Sequence, residues 1–181
     1  IMDSSAAQTG QIVGTGTAAI DIGGKCKVTL ESGTIEHTSG TAIALKDDKN
    51  KNSAHFVMKG GAVNGTTALT ADSGTVTISG GTVNGRTNGI AMYGGSAEIS
   101  SGTIEGGTAI NTVGSSITIS GGTFDSTTAD KEVVAATTGS TTVAISGGSF
   151  AHAVPAGQCA AGYVPTTADA GGRYGVEPEP K

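Results

Sequence analysis

Residues 75–85 read Thr-Val-Thr-Ile-Ser-Gly-Gly-Thr-Val-Asn-Gly, and close variants of this stretch recur along the chain. Each variant has two apolar residues separated by one residue, then a Ser-Gly-Gly-like triplet, then one further residue and a third apolar residue. The glycines that end the six triplets are Gly33, Gly61, Gly81, Gly102, Gly122 and Gly148. They lie 28, 20, 21, 20 and 26 residues apart, so the basic period is about 20 residues.

Three positions of each repeat are apolar, namely five and three residues before the triplet glycine and two residues after it. The eighteen residues are Val28, Leu30, Ile35, Phe56, Met58, Val63, Val76, Ile78, Val83, Ala97, Ile99, Ile104, Ile117, Ile119, Phe124, Val143, Ile145 and Phe150. Only 36% of the chain is hydrophobic, so this agreement indicates a structural constraint. Strands this short cannot enclose a core unless successive repeats stack at about 4.8 Å. The sequence therefore predicts a β-solenoid.

A second short strand is predicted between successive triplets, each containing a pair of small or apolar residues. The pairs are Ala42-Ile43, Ala68-Leu69, Ile90-Ala91, Ala109-Ile110 and Val133-Val134. Tight turns with left-handed φ are expected at Asn64-Gly65 and Asn84-Gly85, because Asn and Gly favour such turns. Residues 11–13 and 19–22 predict an incomplete earlier coil, and the two longer intervals predict surface loops at 46–52 and 125–132.

Composition argues against several classes of function. The chain has ten Lys and Arg, a net charge of −5 and no basic cluster, so no nucleic-acid partner is predicted. Its apolar runs are far shorter than the roughly 20 residues that cross a bilayer, so no membrane insertion is predicted. Ile and Val outnumber Leu by 27 to 3, which favours strands over helices. Cys26 and Cys159 are predicted to be free thiols, because they would lie near opposite ends of the stack.

The repeat stops after Phe150. Two later segments, at 163–164 and 173–176, predict a β-hairpin that caps the last coil, since an open end would leave backbone N–H and C=O groups unpaired. The predicted organisation is a repeat domain at 1–155, a capping hairpin at 156–176 and a linker at 177–181.

The motif Ile-Ser-Gly-Gly-Thr-Val/Phe at 78–83 and 119–124, with the closing Cys-Ala-Ala-Gly-Tyr-Val-Pro at 159–165, resembles a known repeat type. It is similar to the right-handed parallel β-helix repeats of exported, adhesin-like or pectin-lyase-like proteins of gut anaerobic bacteria. The resemblance covers about residues 27–176. It implies an extracellular or cell-surface location in bacteria, usually as one module of a longer surface protein, and it transfers no catalytic residue.

Some parallel β-helices are polysaccharide lyases or hydrolases, which need carboxylates beside a basic residue or a pair of carboxylates at a set separation. Arg86 is the one arginine of the repeats, and it aligns with Thr38, Thr66, Gly107 and Thr127, with no acid at the same offset. We expect Arg86 to be a solvated turn residue and the chain not to be an enzyme.

An outward column follows the triplet glycines by three residues. Its members are Glu36, Asn64, Asn84, Glu105, Asp125 and Ala151. Glu105 and Asp125 would lie one coil apart and could together hold a cation. A ladder of stacked Asn amides beside tight turns is the alternative interpretation, and it is favoured. No metal and no cofactor is predicted.

The remaining candidates are isolated. Tyr93 is the one aromatic residue of the repeats expected to face outward, where it could contact a sugar ring. The three histidines, His37, His55 and His152, do not predict a catalytic triad. A flat Thr ladder of the kind that binds ice is disfavoured, because Glu98 interrupts the outward positions.

Together these features predict an all-β, right-handed parallel β-helix of about six to seven coils with a C-terminal β-hairpin cap. The predicted function is a non-catalytic module of a bacterial cell-surface or secreted protein, an adhesin or a structural spacer, whose partner is an extracellular glycan or a host surface protein. The alternative is a polysaccharide-binding β-helix or one with residual lyase or hydrolase activity. The weak binding candidates are Glu36, Asn64, Asn84, Glu105, Asp125, Tyr93 and Arg86.

Overall fold

The computed structural model of the chain describes residues 1–2, 9–46, 54–128, 132–137 and 140–181. Most of the predicted loop at 46–52 and residues 129–131 of the second predicted loop lie outside the described residues. Asp125 and Ser126, which were assigned to that second loop, instead belong to a strand.

Sixteen strands account for most of the described chain. They are β1 (Gln11–Gly14), β2 (Ala18–Ile22), β3 (Lys27–Leu30), β4 (Thr34–His37), β5 (Thr41–Leu45), β6 (His55–Met58), β7 (Ala62–Ala71), β8 (Thr75–Met92), β9 (Ser96–Thr112), β10 (Ser116–Ile119), β11 (Thr123–Ser126), β12 (Val134–Ala136), β13 (Thr142–Ile145), β14 (Ser149–Phe150), β15 (Tyr163–Pro165) and β16 (Val176–Pro178). The described residues contain no α-helix, only a 3-10 turn at Ala156–Gln158. No described helix is therefore long and apolar enough to cross a membrane.

The strands wind into about six stacked turns with three sides. Side 1 contains β3, β6, the first segments of β8 and β9, β10 and β13. Side 2 contains β1, β4, the first segment of β7, the middle segments of β8 and β9, β11 and β14. Side 3 contains β2, β5, the last segments of β7, β8 and β9, and β12. Pairing between turns is parallel throughout, so the backbone hydrogen bonds run along the long axis and the predicted β-helix is confirmed.

The core is built from the predicted apolar register. On side 1, for example, Ile78 pairs with Met58 on one side and with Ile99 on the other. All eighteen predicted positions except Val28 and Val143 are at most 1% exposed. Val28 and Val143 are partly buried and pack against the core in the outermost strands of side 1. Near the C-terminal end the rings of Phe124 and Phe150 stack, with centroids 4.9 Å apart and planes 9° from parallel.

The six triplet glycines turn the chain from side 1 to side 2. All of them have positive φ, between 78° and 113°. At Gly81, an added Cβ would lie 2.7 Å from the carbonyl oxygen of Gly61 in the turn below. Both the left-handed backbone and the close approach of the neighbouring turn therefore require glycine here.

The predicted Asn-Gly turns are wrong, because β7 and β8 run without interruption through Asn64-Gly65 and Asn84-Gly85. Neither Gly65 nor Gly85 is among the glycines with positive φ. The strands bend instead, with a shift in register after each glycine. A Cβ at Gly85 would lie 1.7 Å from the carbonyl oxygen of Asn88, so glycine is required here by crowding at the bend.

On side 3 one predicted pair is shifted by a residue. Ile90 pairs with Leu69 and Ile110, which are the second residues of their predicted pairs. The first, small residue of the pair in this turn is therefore Gly89, and Ala91 lies one position beyond the pair. A Cβ at Gly89 would approach the carbonyl oxygen of Ala109 to 2.7 Å, which explains the glycine.

The two ends of the stack differ. The predicted earlier coil is confirmed at the N-terminal end, where β1 pairs with β4 and β2 with β5. At the C-terminal end, the predicted hairpin is confirmed as the antiparallel pair β15 and β16, and Tyr174 forms an antiparallel bridge with Phe150. Strand β16 continues to Pro178, two residues beyond the predicted end of the capping hairpin at residue 176.

Candidate functional site

The predicted outward column lies on side 2 in the expected register. Asn64 pairs with Glu36 and with Asn84, and Glu105 pairs with Asn84 and with Asp125. Asn84 is exposed and the other four side chains are half-buried. The column therefore presents five polar side chains in consecutive turns along one side of the stack.

A groove lies where three consecutive turns bend from side 2 to side 3. Its volume is about 310 Å³, and it is lined by Glu36, His37, Thr38, Asn64, Gly65, Asn84 and Arg86. Four of the seven predicted binding residues thus share one concave surface, Glu36, Asn64, Asn84 and Arg86. Glu105, Asp125 and Tyr93 are not part of it.

Two groups at one end of the groove already have partners within the protein. Gln11 Nε2 donates to Glu36 Oε2 over 2.6 Å. The backbone N–H of Ser39 donates to His37 Nδ1 over 3.3 Å, so His37 is the Nε2–H tautomer and donates to the carbonyl oxygen of Gly16 over 2.7 Å. His37 is 3% exposed, and because both ring nitrogens are engaged, its role here is structural.

The other three predicted binding residues of the groove remain available. Among the described residues, none forms a hydrogen bond or an ion pair with the side chains of Asn64, Asn84 or Arg86. The register stacks Asn64 on Asn84, yet their side-chain amides are not hydrogen-bonded to each other. Two amides and one guanidinium can therefore offer donors and acceptors to a ligand in the groove.

Glu105 and Asp125 lie one turn apart as predicted, but the carboxylate of Asp125 is bound by the C-terminal cap. Arg173 Nη1 donates to Asp125 Oδ1 over 2.5 Å, and both side chains are about 30% exposed, at 28% and 32%. The same guanidinium donates to the carbonyl oxygens of Phe124 and Ser149 and to the Ser149 hydroxyl. This engagement leaves Asp125 poorly placed to share a cation with Glu105. In the described part of the chain, no group of three or more His, Cys, Asp and Glu residues could hold a metal ion.

Tyr93 is 56% exposed, as expected, but it lies at the bend from side 3 to side 1. Its equivalent in the next turn is Val113, since Tyr93 N–H donates to Ala71 O and Val113 N–H to Met92 O. Tyr93 is therefore separate from the groove.

The histidines do not come together. His55 is exposed on side 1, His37 is buried at the end of β4, and the buried Nε2 of His152 near the cap has no hydrogen-bond partner. The two cysteines are free, as predicted, with Cys26 exposed and Cys159 partly buried.

Two polar contacts around the column were not anticipated from the sequence. Gln11 binds Glu36 from the preceding coil, and Arg173 reaches Asp125 from 48 residues away. The contact between Gln11 and Glu36 could have been found from the sequence, because aligning the incomplete first coil with the next coil brings these two residues close together. The contact between Arg173 and Asp125 could not, because Arg173 lies outside the repeats.

Comparison of the chain with protein-family models, with curated proteins and with solved structures finds no match in any of the three.

Proposed function

We propose that the chain is a non-catalytic module of an extracellular or cell-surface bacterial protein, where it serves as an adhesin or a structural spacer. The observation that carries this proposal is the uninterrupted stack, in which the core positions of successive turns are almost fully buried. Such a stack is a rod with polar side chains repeated along its outer surface. A rod of this kind holds a binding surface at a distance from its point of attachment.

The state of three titratable groups of the groove and the outward column supports a non-catalytic role. Asp125 is paired with Arg173, Glu36 accepts from Gln11, and His37 uses both ring nitrogens within the protein. General acid–base catalysis needs a group that is free to exchange a proton with the substrate. These three groups would first have to give up structural hydrogen bonds.

The second candidate function is glycan binding in the groove at Asn64, Asn84 and Arg86. A volume of about 310 Å³ lies at the lower end of the range for small-molecule sites, and the free amides can donate to and accept from hydroxyl groups. The resemblance to exported adhesin-like repeats supports an extracellular glycan or a host surface protein as the partner. None of the described residues that line the groove is Phe, Tyr or Trp, so we expect weak binding at a single site and stronger binding when several copies are displayed together.

The first experiment measures turnover. Polygalacturonate, alginate and chondroitin are incubated with the protein, with and without calcium, while unsaturated uronate products and new reducing ends are followed. We expect neither product. Product formation that is lost in Arg86→Ala or Glu105→Gln would contradict the non-catalytic role and favour a lyase.

The second experiment measures binding by a monovalent and a multivalent form of the protein on immobilised extracellular glycans. We expect retention of the multivalent form alone, reduced by Arg86→Ala and unchanged by the control Thr118→Ala on side 1. If no glycan retains either form, the result would contradict glycan binding in the groove and leave the spacer role as the proposed function. Unchanged retention of Arg86→Ala would place the binding surface elsewhere, and equal loss in both variants would mean that the effect of Arg86→Ala is not specific to the groove.

A further inference from the structure

The groove between sides 2 and 3 carries opposite charges at its two ends. Glu36 lies in β4, and Arg86 lies in β8, two turns further along the stack. At about 4.8 Å per turn, the two residues are about 10 Å apart along the axis. They form no ion pair with each other. The groove therefore has a carboxylate at one end and a guanidinium at the other.

The turns that border the groove are part of the described structure. At the Glu36 end, His37 Nε2 donates to the carbonyl oxygen of Gly16 in the preceding turn. At the other end, Glu105 of the following turn pairs with Asn84. Neither neighbouring turn covers Arg86, whose side chain is exposed.

Arg86 is a cation that has no partner among the described residues. Glu105 lies in the next turn, but it forms no ion pair with Arg86 and does not line the groove. A guanidinium presents its N–H donors in a fixed plane, which suits the paired oxygen atoms of a carboxylate or a similar oxyanion. This end of the groove therefore favours an anionic group on the ligand.

The opposite end disfavours a second anion. Gln11 Nε2 donates to Glu36 Oε2 over 2.6 Å, but a neutral amide donor leaves the negative charge of the carboxylate in place. Glu36 is half-buried, so salt screens this charge less than it would at a fully exposed position. A hydroxyl group can donate to the carboxylate, whereas a second carboxylate would be repelled.

We propose that the groove selects glycans with an isolated acidic sugar, whose carboxylate or sulfate ester binds Arg86 while neutral sugars lie toward Glu36. This inference rests on the glycan binding proposed above, and it adds the class of glycan and its direction in the groove. Asn64 and Asn84 lie between the two ends and bind hydroxyl groups. Runs of consecutive uronates bind less well, because they bring a second carboxylate near Glu36.

The test is a titration of the isotope-labelled protein, followed by NMR at the side-chain N–H groups of Asn64, Asn84 and Arg86. Four trisaccharides are compared, namely a neutral one, one with a single terminal uronate, one with a single sulfate ester on that terminal sugar, and a triuronate. We expect the two singly charged ligands to bind about threefold to fivefold more tightly than the neutral one, as for an exposed ion pair. Added salt should reduce this preference. The triuronate should bind more weakly than the single uronate.

Two charge variants test the two ends separately. Arg86→Gln should abolish the preference for the singly charged ligands, whereas Lys27→Gln, which removes a positive charge from an exposed position on side 1, should retain it. Glu36→Gln should raise the affinity for the triuronate at least about twofold. Glu98→Gln, at an exposed position on side 1, should not. Circular dichroism and the melting temperature check that all four variants remain folded.

Failure of this inference can be distinguished from failure of glycan binding itself. If no trisaccharide shifts the amide signals of Asn64 and Asn84, glycan binding in the groove is wrong and the inference falls with it. If the neutral trisaccharide binds as tightly as the charged ones, the groove binds glycans but does not select acidic ones. A preference that survives in Arg86→Gln, or a triuronate affinity that Glu36→Gln leaves unchanged, would also overturn the proposal. A preference for only one of the two singly charged ligands supports it and identifies the anionic group.

Discussion

Ile119 illustrates how one residue fits the stack. It is fully buried and lies between Ile99 and Ile145 of the adjacent turns. Its neighbour Thr118 is exposed in the same strand. One position therefore requires an apolar side chain and the adjacent position accepts a polar one. This alternation repeats in every turn because the turns are in register.

We expect Ile119→Asp to lower the free energy of unfolding by at least about 3 kcal/mol, because it places a carboxylate between two isoleucines. Thr118→Asp should cost less than about 1 kcal/mol. Part of that smaller cost comes from Glu98, which pairs with Thr118, so it should shrink with added salt. Urea unfolding measures the free energy of unfolding of both variants and of the wild-type protein. Equal destabilisation by the two variants would contradict the register.

The two cysteines should react at different rates with a thiol reagent. Cys26 is exposed, whereas burial raises the pKa of the Cys159 thiol above its ordinary value. A raised pKa means that less thiolate is present at any pH below it, and the thiolate is the reactive form. We expect one fast and one slow phase, with the slow phase accelerating as the pH rises toward the raised pKa of Cys159 and disappearing in Cys159→Ser. Unfolded, unreduced protein that yields no thiols would contradict free cysteines.

Among the elements, the C-terminal cap is tied to the stack by the side chain of Arg173 in addition to backbone hydrogen bonds. Arg173 makes four hydrogen bonds to three residues, Phe124, Asp125 and Ser149. These residues belong to β11 and β14, so the guanidinium ties the cap to two successive turns of side 2.

We expect Arg173→Ala to destabilise the cap by about 2 kcal/mol or more, since the charge-assisted contacts are lost and Asp125 is left without its partner. Hydrogen exchange at Tyr174, whose N–H donates to Phe150 O, reports this opening. Arg86→Ala is the matched control and should change stability by less than about 0.5 kcal/mol. Similar effects of the two variants would mean that the contacts of Arg173 do not stabilise the cap.

The elements also show where prediction from the sequence succeeds. Strands of sides 1 and 2 were predictable because their apolar positions keep a fixed offset from the triplet glycines in six copies. The bends at Gly65 and Gly85 were misread as left-handed turns, because an Asn-Gly pair carries the same local signal in both settings. At these bends glycine is required because the carbonyl oxygens of Thr67 and Asn88 lie close to Gly65 and Gly85, respectively, and not because φ is positive. Only the folded chain shows this crowding.

At the scale of the whole molecule, the outward column could be predicted but its partners could not. Glu36, Asn64 and Asn84 follow from the period, because a parallel stack places equivalent residues one above another. Arg86 joins them through the bend after Gly85, and the left-handed turn predicted at this place did not indicate that Arg86 would line the same groove. The pairing of Asp125 with Arg173 depends on how the non-repeating cap folds back onto the stack, so it has no periodic signal.

The direction of the backbone hydrogen bonds has a mechanical consequence for a rod that is pulled from its two ends. Tension along the axis acts on the bonds of one turn at a time, so the rod should lengthen by peeling and not by shearing many bonds together. A repeat of 20 residues would release roughly 60 Å of extended chain, at about 3.4 Å per residue less the height of the turn. Such a rod is stiff under small loads and extends stepwise under larger ones, which would protect whatever is attached to its far end from sudden force.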